Sequence, residues 1–103
     1  MSDAFERVFA AEDLPQGRCS EARVGERTLA LCNVGGSFHA VANTCPHRGG
    51  PLGQGDLDGT KLLCPWHSWA FDVETGVSEN NPSLRIERIE TRLDDGQVLV
   101  RVG

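Results

Sequence analysis

The sequence predicts an all-β fold, and three observations carry that prediction. Short runs of β-branched, aliphatic and aromatic residues recur along the chain, each bounded by Gly, Pro, Asn or Asp. Gly35-Gly36 and Asp94-Asp95-Gly96 separate such runs with residues that tolerate the positive φ of a tight hairpin. Only 84–93 invites a helical reading, with Ile86, Ile89 and Leu93 spaced three and four apart.

Taken in order, Phe5 to Ala10 is a short mixed run that Leu14-Pro15-Gln16-Gly17 ends in a turn. Residues 18–24 form a polar candidate strand, and Gly25-Glu26 turns the chain into Thr28–Val34. Gly35-Gly36 then leads into Ser37–Ala42. Lys61–Leu63 and Ala70–Val73 are short strands, the second closed by Glu74-Thr75-Gly76. Ile86, Ile89 and Leu93 invite a helix, but the terminal strand Gln97–Val102 needs a partner across its turn. That need favours β structure over 85–92, with a bulge near Ile89. The expectation is about eight to ten short strands in a single domain over 1–103, with long loops at 44–59 and 64–69.

Composition narrows the class. Hydrophobic residues make up 39% of the chain with no apolar run near 18 residues, so no membrane-spanning helix is expected. The start, Met1-Ser2-Asp3-Ala4-Phe5, lacks the basic and apolar regions of a secretory signal. A cytoplasmic location follows as the expectation, and there four cysteines read as metal-binding or free rather than disulfide-bonded. The net charge of −5 argues against nucleic acid as a partner and suits docking to a basic patch on another protein.

The chemistry concentrates in two short motifs, Cys45-Pro46-His47 and Cys64-Pro65-Trp66-His67, separated by sixteen residues. Each offers one thiolate and one imidazole from a run too rich in Pro and Gly for helix or strand. A structural zinc site also uses two Cys and two His, but its like ligands usually pair within two to four residues. Here each motif mixes the two types. That alternation suits a binuclear iron–sulfur cluster, with one iron taking Cys from each loop and the other taking His. The rival reading, a zinc-stabilised binding module, predicts a colourless protein.

Cys-X-His, sixteen residues and Cys-X-X-His resemble the signature of the Rieske [2Fe–2S] family. The flanks agree, in Ala40–Gly50, in Cys64–Asp72 and in the later Thr75-Gly76 turn. The resemblance implies one [2Fe–2S] cluster per chain, Cys45 and Cys64 on the inner iron, and His47 and His67 on the outer. It also implies a small antiparallel β-sandwich or barrel-like fold with a cluster-binding subdomain of two loops, about 43–83. Trp66, Ser68, Trp69, Phe71 and Pro82 would surround the cluster: the two tryptophans as shields, Pro82 on a third, covering loop.

Such a cluster, with two ferric ions, two sulfides, two thiolates and neutral imidazoles, carries no net charge when oxidised, so it accepts an electron more readily than an all-Cys cluster. High-potential members of the family resemble one another in an extra disulfide and in Ser and Tyr hydroxyls near the cluster. This chain has Gly50 and Trp66 at the disulfide positions and Trp69 and Phe71 at the hydroxyl positions, while Ser68 replaces the usual Gly. A low potential is therefore expected.

The function that the resemblance implies is a soluble one-electron carrier without catalysis of its own. It would be the ferredoxin component of a ring-hydroxylating dioxygenase system, working between a ferredoxin reductase and a terminal oxygenase. The alternative is the small subunit of an assimilatory nitrite reductase. Asp56, Asp58 and Glu79 are candidates to flank a docking surface. Cys32 reads as a core residue, Cys19 as a bystander and His39 as an ordinary sheet residue. A Cys19–Cys32 disulfide is disfavoured by the expected reducing compartment.

Overall fold

The structure, a computed structural model, describes residues 4–46, 49–66 and 69–101. Its strands are β1 (Phe5–Ala10), β2 (Cys19–Val24), β3 (Arg27–Val34), β4 (Ser37–Ala42), β5 (Asp56–Asp58), β6 (Lys61–Leu63), β7 (Ala70–Asp72), β8 (Arg88–Ile89), β9 (Thr91–Asp94) and β10 (Gln97–Arg101). They form three antiparallel sheets, ordered β1-β10-β9, β2-β3-β4-β8 and β5-β6-β7. No helix among the described residues is long and apolar enough to cross a membrane.

The central sheet is organised by β3, which is apolar on both faces. Alternation along the strand sends Leu29 and Leu31 to one side and Ala30 and Cys32 to the other. The first side meets the β1-β10-β9 sheet, where Ala22, Val24, Ala40, Val98 and Val100 complete one core. The second side meets the small β5-β6-β7 sheet and its loops. There Val41, Leu52, Leu62, Phe71, Val73 and Ile86 pack with Cys45 and Cys64. Two cores therefore share one wall.

The hairpin turns form as their residues dictate. Gly35 and Gly36 both take positive φ (60° and 99°), as do Asp95 and Gly96 (52° and 75°), which matches the twist of the flanking strands. Asp95 is the one non-glycine residue with positive φ among those described.

Two stretches differ from the sequence expectation. Residues 85–92 are neither a helix nor one strand paired throughout with β10. Instead β8 pairs with β4, and β9 pairs with β10, so the chain changes sheets at Glu90. The helix-like spacing has a physical explanation: Ile86 is buried in the cluster-side core, whereas Ile89 packs against the other one. Leu93, the third residue of that apparent stripe, is largely exposed. The loop expected over 44–59 contains a 3-10 turn at Leu52–Gln54 and strand β5. Fully buried Leu52 anchors that turn, while Asp56-Leu57-Asp58 has too few apolar residues to announce a strand.

Because the cores are separate, their disruption should be separable too. Leu31→Ala removes a fully buried side chain from the core distant from the cysteines. It should lower unfolding stability in urea by about 2–5 kcal/mol. Iron content per folded chain should stay unchanged.

Candidate metal centre

The first cysteine loop is folded back on itself by its own backbone. Cys45 N–H donates to the Gly50 carbonyl at 2.9 Å, and Gly49 N–H donates to the Cys45 carbonyl at 2.7 Å. The loop's return is tied down by Leu52 N–H donating to the Asn43 carbonyl at 2.7 Å. Asn43 then clamps the far end: its Oδ1 accepts Gly53 N–H, and its Nδ2 donates to Glu21 on β2, both at 2.7 Å. Gln54 adds a second amide to the same carboxylate at 3.0 Å. A Cβ at Gly53 would lie 2.6 Å from Glu21 Cγ and 2.8 Å from Glu21 N, so glycine is required for this approach. The amides of Gln54 and Asn43 hold the Glu21 carboxyl below its usual value, against a small opposing effect of burial.

The second loop leaves β6 and closes by Cys64 N–H donating to the Trp69 carbonyl at 2.8 Å. Beyond it, Ala70 N–H donates to Asn80 Oδ1 at 2.9 Å, and Glu79 N–H donates to the Ala70 carbonyl at 2.9 Å. These bonds bring the segment carrying exposed Pro82 beside the exit of the second loop. Buried Ser78 Oγ accepts the N–H groups of Asn80 and Asn81, fixing that segment's entry. Lys61 reaches Glu79 at 2.7 Å and Asp72 at 3.5 Å.

Between the loops the two cysteine side chains meet. Cys45 and Cys64 are each 1% exposed and lie in one core cluster. Burial pushes the Cys64 thiol up, the Trp66 backbone N–H bonded to its sulfur opposes this, and the neighbouring Cys45 raises it further. A Cβ at Gly50 would stand 2.7 Å from Cys64 Sγ and 3.1 Å from Trp66 Cγ. Only a glycine leaves this space beside the sulfur. The Trp66 ring borders it from the outside and is 50% exposed.

The donor set fits an iron–sulfur group on its chemistry. Two buried sulfurs side by side are unfavourable as free thiolates and favourable when a metal takes their charge. Backbone N–H groups aimed at sulfur, as at Trp66, are the interactions that tune such clusters.

Of the residues expected from the sequence, the structure unites Cys45, Cys64 and Trp66. Phe71 is fully buried beneath the loops, and Trp69 is half-buried against the same core. His47, His67 and Ser68 lie outside the described residues. His39 lies on β4 opposite Cys32, within the central sheet rather than on either loop. Sequence reasoning missed the clamp formed by Glu21 and Asn43. Alternation places Glu21 on the cluster-side face of β2, but nothing in the chain signals its partner 22 residues later.

Comparison with known proteins agrees with this geometry. The family model of the Rieske [2Fe–2S] domain matches residues 4–91, so this chain belongs to the Rieske iron–sulfur family and holds one [2Fe–2S] cluster. Within that family it is 35% identical over 102 residues to Ferredoxin CarAc of Metapseudomonas resinovorans, covering 97% of this chain and 95% of the relative. A chain in a solved complex of reduced oxygenase and oxidised ferredoxin in carbazole 1,9a-dioxygenase has TM-score 0.86 and 33% identity, covering 97% of this chain and 94% of that one. Apoptosis-inducing factor 3 of Homo sapiens is 34% identical over 97 residues, 93% of this chain. There the chain spans only 16% of the relative's length.

Two outcomes follow from the site. Gly50→Ala should reduce bound iron and sulfide per chain severalfold, because the new methyl group intrudes on Cys64 and Trp66. Gly59→Ala, in open space, should leave both unchanged apart from the strain of a positive φ. The second outcome concerns pH. The folded-state value of Glu21 is lowered, so its contribution is present above the usual 4.5 and lost as pH falls through the lowered value. Glu21→Gln should therefore be less stable than the parent at pH 7, with the gap closing as the pH falls below 4.5. Urea unfolding at stepped pH measures it.

Proposed function

We propose that this protein is a one-electron carrier that takes electrons from a reductase and delivers them to an oxygenase. The observation that carries the reading is the Cys45–Cys64 pair, buried in one core where two loops meet, with the half-exposed Trp66 beside it. Trp66 gives that site an edge at the surface, which suits transfer to a docked partner. Relatives that this chain matches over most of their length are named ferredoxin components of oxygenase systems, including alkene monooxygenase of Xanthobacter autotrophicus. When bound, a Rieske cluster takes up and releases one electron.

In this reading Cys45 and Cys64 hold the inner iron, and His47 and His67 hold the outer one. The cluster-binding part spans about 43–83 within a single Rieske domain over 1–103. Trp66 shields the inner sulfurs, the segment with Pro82 covers the second loop, and Ser68 is among the residues that surround the cluster. Trp69 and Phe71 offer no hydroxyl to the cluster, so its potential lies in the lower half of the range of about −150 to +300 mV. The protein works in the cytoplasm. Exposed Asp56 and Asp58 on β5, with Glu79, flank the docking face and favour a basic partner surface. Glu79 is already tied to Lys61, so the two aspartates carry most of the free negative charge.

The test is the EPR spectrum of the dithionite-reduced protein. A rhombic signal of low average g is the expected result; a colourless, EPR-silent protein with bound zinc would overturn the reading. Redox titration should place the midpoint below zero, and a value clearly above zero removes the low-potential proposal. Asp56→Lys with Asp58→Lys should slow reduction by the reductase severalfold at low salt and little at high salt. Gel filtration should show an independent small protein. Permanent association with a large subunit would favour the nitrite reductase alternative instead.

A further inference from the structure

We propose that Cys19 and Cys32 form a second redox site, a cross-strand dithiol that hydrogen peroxide converts to a disulfide. The two residues are directly opposite in the β2–β3 register and both are free cysteines. Asn33 N–H donates to the Arg18 carbonyl at 3.0 Å, which makes the adjoining Cys19–Cys32 position a non-hydrogen-bonded pair. Such pairs bring Cα atoms to about 4.5 Å and their side chains close together, within the span a disulfide bridges. Cys19 packs against the core in which Cys32 is buried, and its thiol donates to the Gly55 carbonyl at 3.0 Å.

The pair is unequal in a way that assigns roles. Cys32 is fully buried, whereas Cys19 is partly exposed. The Cys32 contact also holds the Cys19 thiol below its usual value, with burial and Asp56 opposing and Arg18 assisting. The same contact and burial push Cys32 up. Cys19 is thus the attacking sulfur and Cys32 the resolving one. Cys19 thiolate attacks one peroxide oxygen, the O–O bond breaks, and the hydroxide released takes up the thiol proton as water. The product is the Cys19 sulfenic acid. Cys32 sulfur then attacks Cys19 sulfur, the S–O bond breaks, and hydroxide leaves with the Cys32 proton as a second water. Two thiols lose two electrons, and peroxide gains them.

The disulfide has a structural consequence at the metal centre. Oxidation removes the only hydrogen with which Cys19 holds the Gly55 carbonyl. Gly55 packs tightly on the Leu63 carbonyl and lies beside Pro65 of the second cysteine loop, where a Cβ would meet Pro65 Cδ at 3.2 Å. The oxidised form should therefore release iron faster than the reduced form.

The experiment treats the cluster-loaded protein with one equivalent of hydrogen peroxide under anaerobic conditions. Remaining thiols are alkylated in denaturant and mapped by peptide mass spectrometry. The expected product is a linked Cys19–Cys32 peptide, two hydrogens lighter and restored by dithiothreitol. Cys19→Ala should abolish it, and Cys32→Ala should leave a Cys19 sulfenic acid that dimedone captures. Alkylation of both Cys19 and Cys32 while Cys45 and Cys64 oxidise would overturn the proposal. If Cys32→Ala does not fold, the unsubstituted protein's peptide map decides alone. Iron release to a chelator should quicken severalfold on oxidation, and an unchanged rate would remove the link to the second loop.

Discussion

The burial of Cys45 and Cys64 in one core sets the terms for the structure around them. As thiolates the two would repel each other in surroundings that solvate neither, and as thiols they would be poor ligands. A metal ion that takes the charge of both thiolates removes that repulsion. Gly50 leaves room at the Cys64 sulfur, and the Trp66 backbone N–H points at it. The metal centre is thus the seam of a core rather than an attachment to one.

Holding two loops at that seam requires anchors at their ends. The first loop is fixed to β2 through Glu21, Asn43 and Gln54, and is pinned from beneath by Leu52. The second is closed by the Cys64–Trp69 backbone bond and braced by the segment after Ser78. The bonds to Glu21 and to Asn80 join the loops to residues outside them, so forming the site depends on those elements being in place.

Much of this was legible in the chain. Turn glycines, alternating runs and the Cys/His spacing marked the hairpins, the all-β class and the residues that meet. What could not be read was long-range. Ile86, Ile89 and Leu93 looked like one helical face because sequence spacing cannot reveal that a chain crosses between two cores. The partnership of Glu21 with Asn43 depends on the β2–β3–β4 register, which no local pattern specifies. The direct opposition of Cys19 and Cys32 was hidden for the same reason, since neither strand is unusual by itself.

The shared wall has a consequence for how this chain tolerates changes in length. Strand β3 presents Leu29 and Leu31 to one core and Ala30 and Cys32 to the other. Inserting or deleting one residue within it would exchange those faces, driving leucines toward the cysteine loops and small side chains into the opposite core. Gly59, in open space at a tight turn between two short strands, faces no such double requirement. Natural length variation should therefore gather around the small sheet and spare the middle of the chain, even though the chemistry belongs to the small sheet.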